Sequence, residues 1–334
     1  VVTPLPVDHL SAVLKGNDEV ELTWNAVTDP LESTANPEKY IVYTRLGDGA
    51  FDNGKVVKKP KYTVHIPADV VCSFKVVAVN KGGKSFPSET VAVGRSSVQN
   101  AKKVLIVNGF DRISAPADFV APPPTDTLYA GFLDEVDHGV PYIQDISYIG
   151  RMKEFNRTLP WLDDDAGGYG DSYGDKETEV IAGNTFDYPA CHGEAVLKAG
   201  YSFESCANEC LNEAKDGYFF IDYILGKQCQ TKTGRGGVVP LQFKTFTTEV
   251  QKVLADYAQK GTHLFVSGAD VATDLWNNPL APAQKSDIYF ATNVLKYKWR
   301  NSRAALTGNV TMVRSPLNLS IDRYKYAHAL NEKV

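Results

Sequence analysis

The stretch GNTFDYPACHGEA brings Asn184, Asp187, Cys191 and His192 together just ahead of a helical pattern. A carboxylate, a thiol and an imidazole are the side chains that acid–base and nucleophilic catalysis draw on. At a helix start, a Cys191 thiolate would be favoured by the positive helix end and by the imidazole beside it. Adjacent residues point apart, however, so a base working on Cys191 would have to come from elsewhere in the fold. The plainer reading has Cys191 as a disulfide partner or helix-start residue, and Asp187 and His192 as substrate contacts or helix caps. Further polar residues close apolar runs: Asn108 and Asp111 after VLIV, Asp222 and Gln228 in FFIDYILGKQ, and Ser267, Asp270 and Asp274 in LFVSGADVATD. Acid–base work is expected of Asp111, Asp187, His192 and Asp270. Substrate contact is expected of Asn108, Asn184, Asp222, Gln228, Ser267 and Asp274.

A long irregular segment, 112–177, carries its own candidates. Trp161 and Tyr169 offer flat faces on which sugars stack. Arg151, Arg157 and His138 are the types that a polysaccharide lyase would need to neutralise a uronate and move its proton. The run WLDDDAGGYGDSYGDKETE is dense in carboxylates, with Asp163 and Asp165 as candidate calcium ligands on a glycine-permitted turn. The bidentate glutamate of an EF-hand would fall at Gly174, so that motif does not fit, and a solvated acidic loop is the alternative reading. Apart from calcium no cofactor is evident. Among the cysteines, Cys72 reads as a small apolar core residue. Cys191, Cys206, Cys210 and Cys229 suggest one or two disulfides of an exported protein. Structural zinc is the lesser reading, since only Cys206 and Cys210 are closely spaced.

These residues need elements to place them. VLIVNGFD, TEVIAGNTFD (178–187), GYFFIDYILG (217–226) and THLFVSGADVATD (262–274) are apolar runs ending in Gly, Asn or Asp, the pattern of parallel strands covered on both faces. FTTEVQKVLADYAQKG reads as a helix with Val250, Val253, Leu254 and Tyr257 on one stripe, a threonine cap and a stop at Gly261. HGEAVLKAG is a second helix. SFESCANEC reads either as a helix start with Ser205 as cap and Glu209 as its partner, or as the seat of a relocated nucleophile at Ser205 or Cys206. Alternating strands and helices predict an open α/β sheet whose ligands bind beyond the carboxyl ends of its strands. Ahead of it, Val20, Leu22 and Trp24, then Tyr40, Val42 and Thr44, then Cys72, Phe74, Val76 and Ala78 alternate with period two, and Asn80–Gly83 forms a turn. Half-buried antiparallel strands of a small β-sandwich follow from that pattern.

Two resemblances attach to these words. Residues 1–98 resemble a fibronectin type III domain, with Trp24 as the buried tryptophan of its second strand and FKVVAVNKGGKSFPSE as its last two strands and turn; Cys72 stands where that family places a tyrosine. VLIVNGFDRIS, DHGVPY, DISYIG, VIAGNTFDYP, HGEAVLKAGYSFES and LFVSGADVATDL, spanning 103–275, resemble the class I glutamine amidotransferase-like module of secreted Bacteroidetes proteins often labelled xanthan lyase. Together they imply a multidomain chain: a fibronectin type III β-sandwich over 1–98, then a flavodoxin-like three-layer α/β/α domain over 101–334 with an insertion at about 112–177. They also imply a secreted, periplasmic or cell-surface location, a polysaccharide or peptidoglycan partner, and further domains in a longer parent chain. Catalytic amidotransferases carry a cysteine on the turn that reads VSGADVA here, where Ala269 stands. The resemblance therefore implies a recognition or scaffold module that has lost its nucleophile, with a glycan hydrolase or lyase as the alternative.

Charge bounds the partners. The first 98 residues balance 11 basic against 11 acidic side chains, so the net charge of −5 falls on the remainder. No basic stripe marks a nucleic-acid surface. No apolar run approaches the ~18 residues of a membrane span.

Overall fold

The computed structural model describes residues 1–16, 18–29, 32–85, 87–110, 188–212, 216–226, 244–268, 271, 275–276 and 284–300 in full. It gives the backbone alone for residues 213 and 273–274 and for short strands elsewhere.

Eight strands build the first part: β1 (Asp8–Lys15), β2 (Glu19–Asn25), β3 (Lys39–Leu46), β4 (Lys55–Val57), β5 (Lys61–His65), β6 (Val71–Asn80), β7 (Gly83–Lys84) and β8 (Val91–Gly94). β1, β2 and β5 form one antiparallel sheet, and β4, β3, β6 and β8 form the other. This is a fibronectin type III-like sandwich. Of the alternating residues read from the sequence, Val20, Leu22, Trp24, Tyr40, Val42, Cys72, Phe74, Val76 and Ala78 are buried in its interior, and Thr44 is half-buried. Each large apolar side chain so buried stabilises the fold by about 1.5–3 kcal/mol. Trp24 meets Tyr40 edge-on at 5.3 Å. The turn after β6 closes because Asn80 Oδ1 accepts from the Gly82 amide at 2.7 Å, while its Nδ2 donates to Val2 and Thr34 carbonyls.

One expectation for β6 needs correction. The strand is buried on both faces, because Val71 on its outer side, with Ala92 of β8, joins a second core containing Val196 and Phe203. The helix responsible is α1 (Tyr188–Lys198), which packs across β8 and β6.

β9 (Lys103–Asn108) begins the second part. The connection after it contains short hairpin strands, β10 (Asp118–Ala121) with β11 (Tyr129–Phe132) and β12 (Lys153–Phe155) with β13 (Asp171–Tyr173). Beyond α1 come β14 (Ser202–Ala207), a 3-10 turn (Asn208–Glu213) and β15 (Phe220–Ile224). A short β16 (Thr231–Lys232) pairs with β17 (Leu241–Phe243), followed by α2 (Thr248–Gln259) and β18 (His263–Ser267). Next are α3 (Thr273–Trp276), α4 (Lys285–Tyr289) running into a π-turn (Phe290–Val294), and a last hairpin of β19 (Gly308–Thr311) and β20 (Arg323–Tyr326). The four longer strands are parallel, in the order β18–β15–β9–β14. Val104 and Ile106 face α1, whereas Leu105, Val107, Ile221 and Tyr223 belong to the core beneath α2, which is why these segments read as unbroken apolar runs. α2 follows its sequence pattern: Thr247 caps it by accepting from the Val250 amide at 3.3 Å, and Val250, Leu254 and Tyr257 are buried.

The place beside β9 belongs to a strand that the sequence disguised. The expected strand at 178–187 lies outside the described residues, and SFESCA, read as a helix start, forms β14 instead. It pairs with β9 on one edge and, antiparallel, with both β8 and β1 on the other. A single hydrogen-bonded sheet therefore runs from the parallel strands into the sandwich. Close packing at this seam depends on two glycines, since a Cβ on Gly94 or Gly193 would overlap the Phe203 ring.

Candidate functional site

Asp222 sits mid-strand on β15, opposite Ile106 and Phe265 in register, so its side chain points to the α1 face. α1 opens with Tyr188 and Pro189, a residue suited to the first turn. Tyr188 packs edge-on against Phe110 at 5.8 Å, just past the carboxyl end of β9. This anchoring brings His192 one turn later over β15. Its Nδ1 lies 2.7 Å from Asp222 Oδ2, with side-chain exposures of 26% for the histidine and 3% for the aspartate. A carboxylate only accepts, so Nδ1 donates and Nε2 is the outward ring nitrogen. Asp222 Oδ1 is buried without a hydrogen-bond partner. A carboxylate this deep needs such a pairing, because an uncompensated buried charge is strongly destabilising. The arrangement resembles the carboxylate–imidazole half of a catalytic triad, and it can hold a base or bind a hydroxyl.

The sequence singled out both residues without joining them, one as catalytic and one as a substrate contact. The remaining candidates divide by where they fall. Asn108 is fully buried; its Nδ2 donates to the Thr90 carbonyl at 3.1 Å, tying β9 to the sandwich, and its Oδ1 is unpartnered. Ser267 is half-buried at the end of β18, on the same face as Asp222. Asp274 lies in α3, described by backbone only. Asp111, Asp187, Asp270, Asn184, Gln228, Trp161, Tyr169, Asp163 and Asp165 lie outside the described residues, as does Ala269.

The thiols answer a separate question. Cys191 is exposed on α1 and Cys206 is buried in β14, and both are free, so neither forms the expected disulfide. Burial, with Cys210 adding to it, pushes the Cys206 thiol well up, the opposite of a nucleophile or metal ligand. Ser205 is likewise no nucleophile: its hydroxyl donates to the Ala92 carbonyl at 2.6 Å and accepts from the Ala92 amide at 2.7 Å. Among the described residues no cluster of three or more His, Cys, Asp or Glu side chains could hold a metal ion.

Two buried polar groups escaped the sequence reading. Glu204 on β14 accepts from Lys103 Nζ at 2.9 Å, from Tyr218 Oη at 2.5 Å and from the Leu14 amide at 3.0 Å. Burial, then the neighbouring Glu204 charge, pushes the Tyr218 phenol far up. Asp287 takes both bonds from Lys244 Nζ at 3.0 Å and one from Gln251 at 2.8 Å. A cleft of about 560 Å³ lies on the α2 side, between Leu211, Asp216, Lys252, Asp256 and Lys260. It contains none of the residues expected to do chemistry, and Lys260 is already held by Asp256 at 2.8 Å and Asp216 at 3.0 Å.

No family model matches the chain, and no curated protein matches it. Solved structures similar to it, fibronectin type III domains among them, align with little more than a quarter of its length. The twitchin kinase region of C. elegans is 21% identical, with a TM-score of 0.25, over 28% of this chain and 16% of that one. A titin segment is 27% identical, with a TM-score of 0.22, over 26% of this chain and 30% of that one. A fibronectin type III domain of human collagen XX is 18% identical, with a TM-score of 0.22, over 28% of this chain and 94% of that one.

Proposed function

We propose that this chain is a recognition and scaffold module of a secreted or envelope-associated, glycan-directed protein, built as a fibronectin type III sandwich over 1–98 and a flavodoxin-like, amidotransferase-type α/β unit over 101–334. One observation carries the scaffold part: four buried polar side chains described on the parallel strands each hold an internal bond. Ser205 and Asn108 bind the sandwich backbone, Glu204 takes three donors and Asp222 takes His192. The α/β reading is supported by the strand order, which in chain sequence is second, first, third, fourth, with a helix on each face. The glycan reading draws support from the resemblance over 103–275 and from Ala269 at the expected nucleophile position.

A hydrolase is the second reading, and the His192–Asp222 pair favours it, since one ring nitrogen is fixed by a buried carboxylate and the other is turned outward. Calorimetry with peptidoglycan fragments and with neutral and acidic polysaccharides, followed by mass spectrometry of the incubated glycan, separates the two. Binding with intact glycan is the expected result. Release of products, lost in Asp222→Asn, would replace the scaffold reading with the hydrolase.

A further inference from the structure

The α1 face of the parallel sheet is covered unevenly. α1 packs over β9, β14, β8 and β6, while β18 is the outer strand beyond β15. Alternate residues of β18 turn to this face: His263 is exposed, Ser267 is half-buried, and Phe265 leaves 55% of its surface open. An open phenylalanine mid-strand is unusual for a residue type that dominates cores. Its neighbour across the strand is Asp222, and the His192 ring lies 6.5 Å from its own, tilted by 55°. The result is a shelf with an aromatic floor and a polar wall.

The wall presents one ring nitrogen. His192 Nδ1 is occupied by Asp222 Oδ2, which directs Nε2 outward. Asp222 Oδ1 is buried and without a donor, so a ligand meets the wall at Nε2 and not at the carboxylate. A hydroxyl suits this wall in any protonation state, because it can donate to a neutral Nε2 or accept from a protonated one. The charge of the pair is equally informative. Over an ionised Asp222, the pair is neutral with the imidazole protonated and negative with it unprotonated, so it offers a carboxylate ligand no net positive charge.

We propose that Phe265 and His192 form a subsite for one pyranose ring of a neutral, hydroxyl-rich polysaccharide. The apolar face of the sugar stacks on Phe265, and a ring hydroxyl bonds to His192 Nε2. Asp222 acts as a positioning residue that fixes the imidazole, and Ser267 flanks the same face one alternation along β18. This inference rests on the glycan-directed reading and narrows it, since the same charge argument disfavours uronate polymers.

Titration calorimetry of the full chain with cellohexaose, mannohexaose, chitohexaose and hexagalacturonate tests it. The expected result is binding of at least one neutral oligosaccharide, weakened tenfold or more by Phe265→Ala, retained by Phe265→Tyr and weakened several-fold by His192→Ala. Because Phe265 is largely exposed, its variants should melt within a few degrees of the parent, and melting curves verify this. Neutral-sugar binding unchanged in Phe265→Ala overturns the subsite but leaves the glycan reading in place. Tighter binding of hexagalacturonate than of every neutral sugar overturns the charge argument, and with it the proposal. No binding of any of the four overturns both readings.

Discussion

Ser205 and Ala92 are 113 residues apart in sequence, yet the serine hydroxyl holds both backbone groups of the alanine, donating at 2.6 Å and accepting at 2.7 Å. The contact joins β14 to β8, where one hydrogen-bonded sheet passes from the parallel strands into the sandwich. Ser205→Ala leaves the Ala92 amide and carbonyl without that partner in a buried place. The expected loss is about 1–3 kcal/mol. Urea unfolding should show a lower midpoint and still a single transition, because β14 continues to pair with β1, β8 and β9; an unchanged midpoint would show that the seam does not depend on this hydroxyl.

Glu204 is the heaviest polar commitment at the same seam, with Lys103, Tyr218 and the Leu14 amide as its donors. Glu204→Ala strands the phenol and the amide in the interior, while Lys103, 38% exposed, returns to solvent, so a loss of about 2–4 kcal/mol is expected. Tyr218→Phe removes only one donor and should cost about 1–2 kcal/mol. Chemical denaturation of the two variants checks the ranking, and a Tyr218→Phe loss equal to that of Glu204→Ala would contradict it.

The seam also shows where sequence reading stops. β9, β18 and α2 were legible because their patterns are local: apolar runs, a 3.6-residue stripe and a threonine cap. β14 was not, since SFESCA alternates polar residues on both faces, and those residues are satisfied by Ser96, Ala92 and Leu14 far upstream. His192 and Asp222 were each identifiable by type, but their pairing depends on α1 docking over β8 and β9, which brings His192 within reach of Asp222 on β15. Phe265 was expected to be covered like the rest of its run. It is exposed because β18 is the outer parallel strand and α1 stops short of it.

Cys72 gives the sandwich a dependence on alkaline pH. Burial pushes its thiol from the ordinary 9.0 to about 11. A folded-state value raised above the unfolded one contributes stability that is complete below pH ~9 and lost as pH rises to ~11, because only the unfolded chain ionises readily in that window. The loss amounts to about 2–3 kcal/mol. The raised Tyr218, Tyr257 and Tyr40 phenols act in the same direction at higher pH. Cys72→Ala should be less stable at neutral pH, through the cavity it leaves, yet show a flatter stability profile between pH 9 and 11. Parallel profiles for the two proteins in that window would remove Cys72 as the cause.

The His192–Asp222 pair makes a prediction about order as well as size. His192→Ala leaves an ionised carboxylate at a site only 3% exposed, with one oxygen already unpartnered. Asp222→Asn instead leaves a neutral amide that can still bond to the ring. Removing the histidine should therefore cost about 2–4 kcal/mol, below the range for a fully enclosed pair because His192 is 26% exposed, whereas the amide variant should cost about 1 kcal/mol. Denaturation curves for both variants at pH 7 decide the matter. If the two losses are equal, the buried charge is not what the imidazole compensates, and the positioning role of Asp222 falls with it.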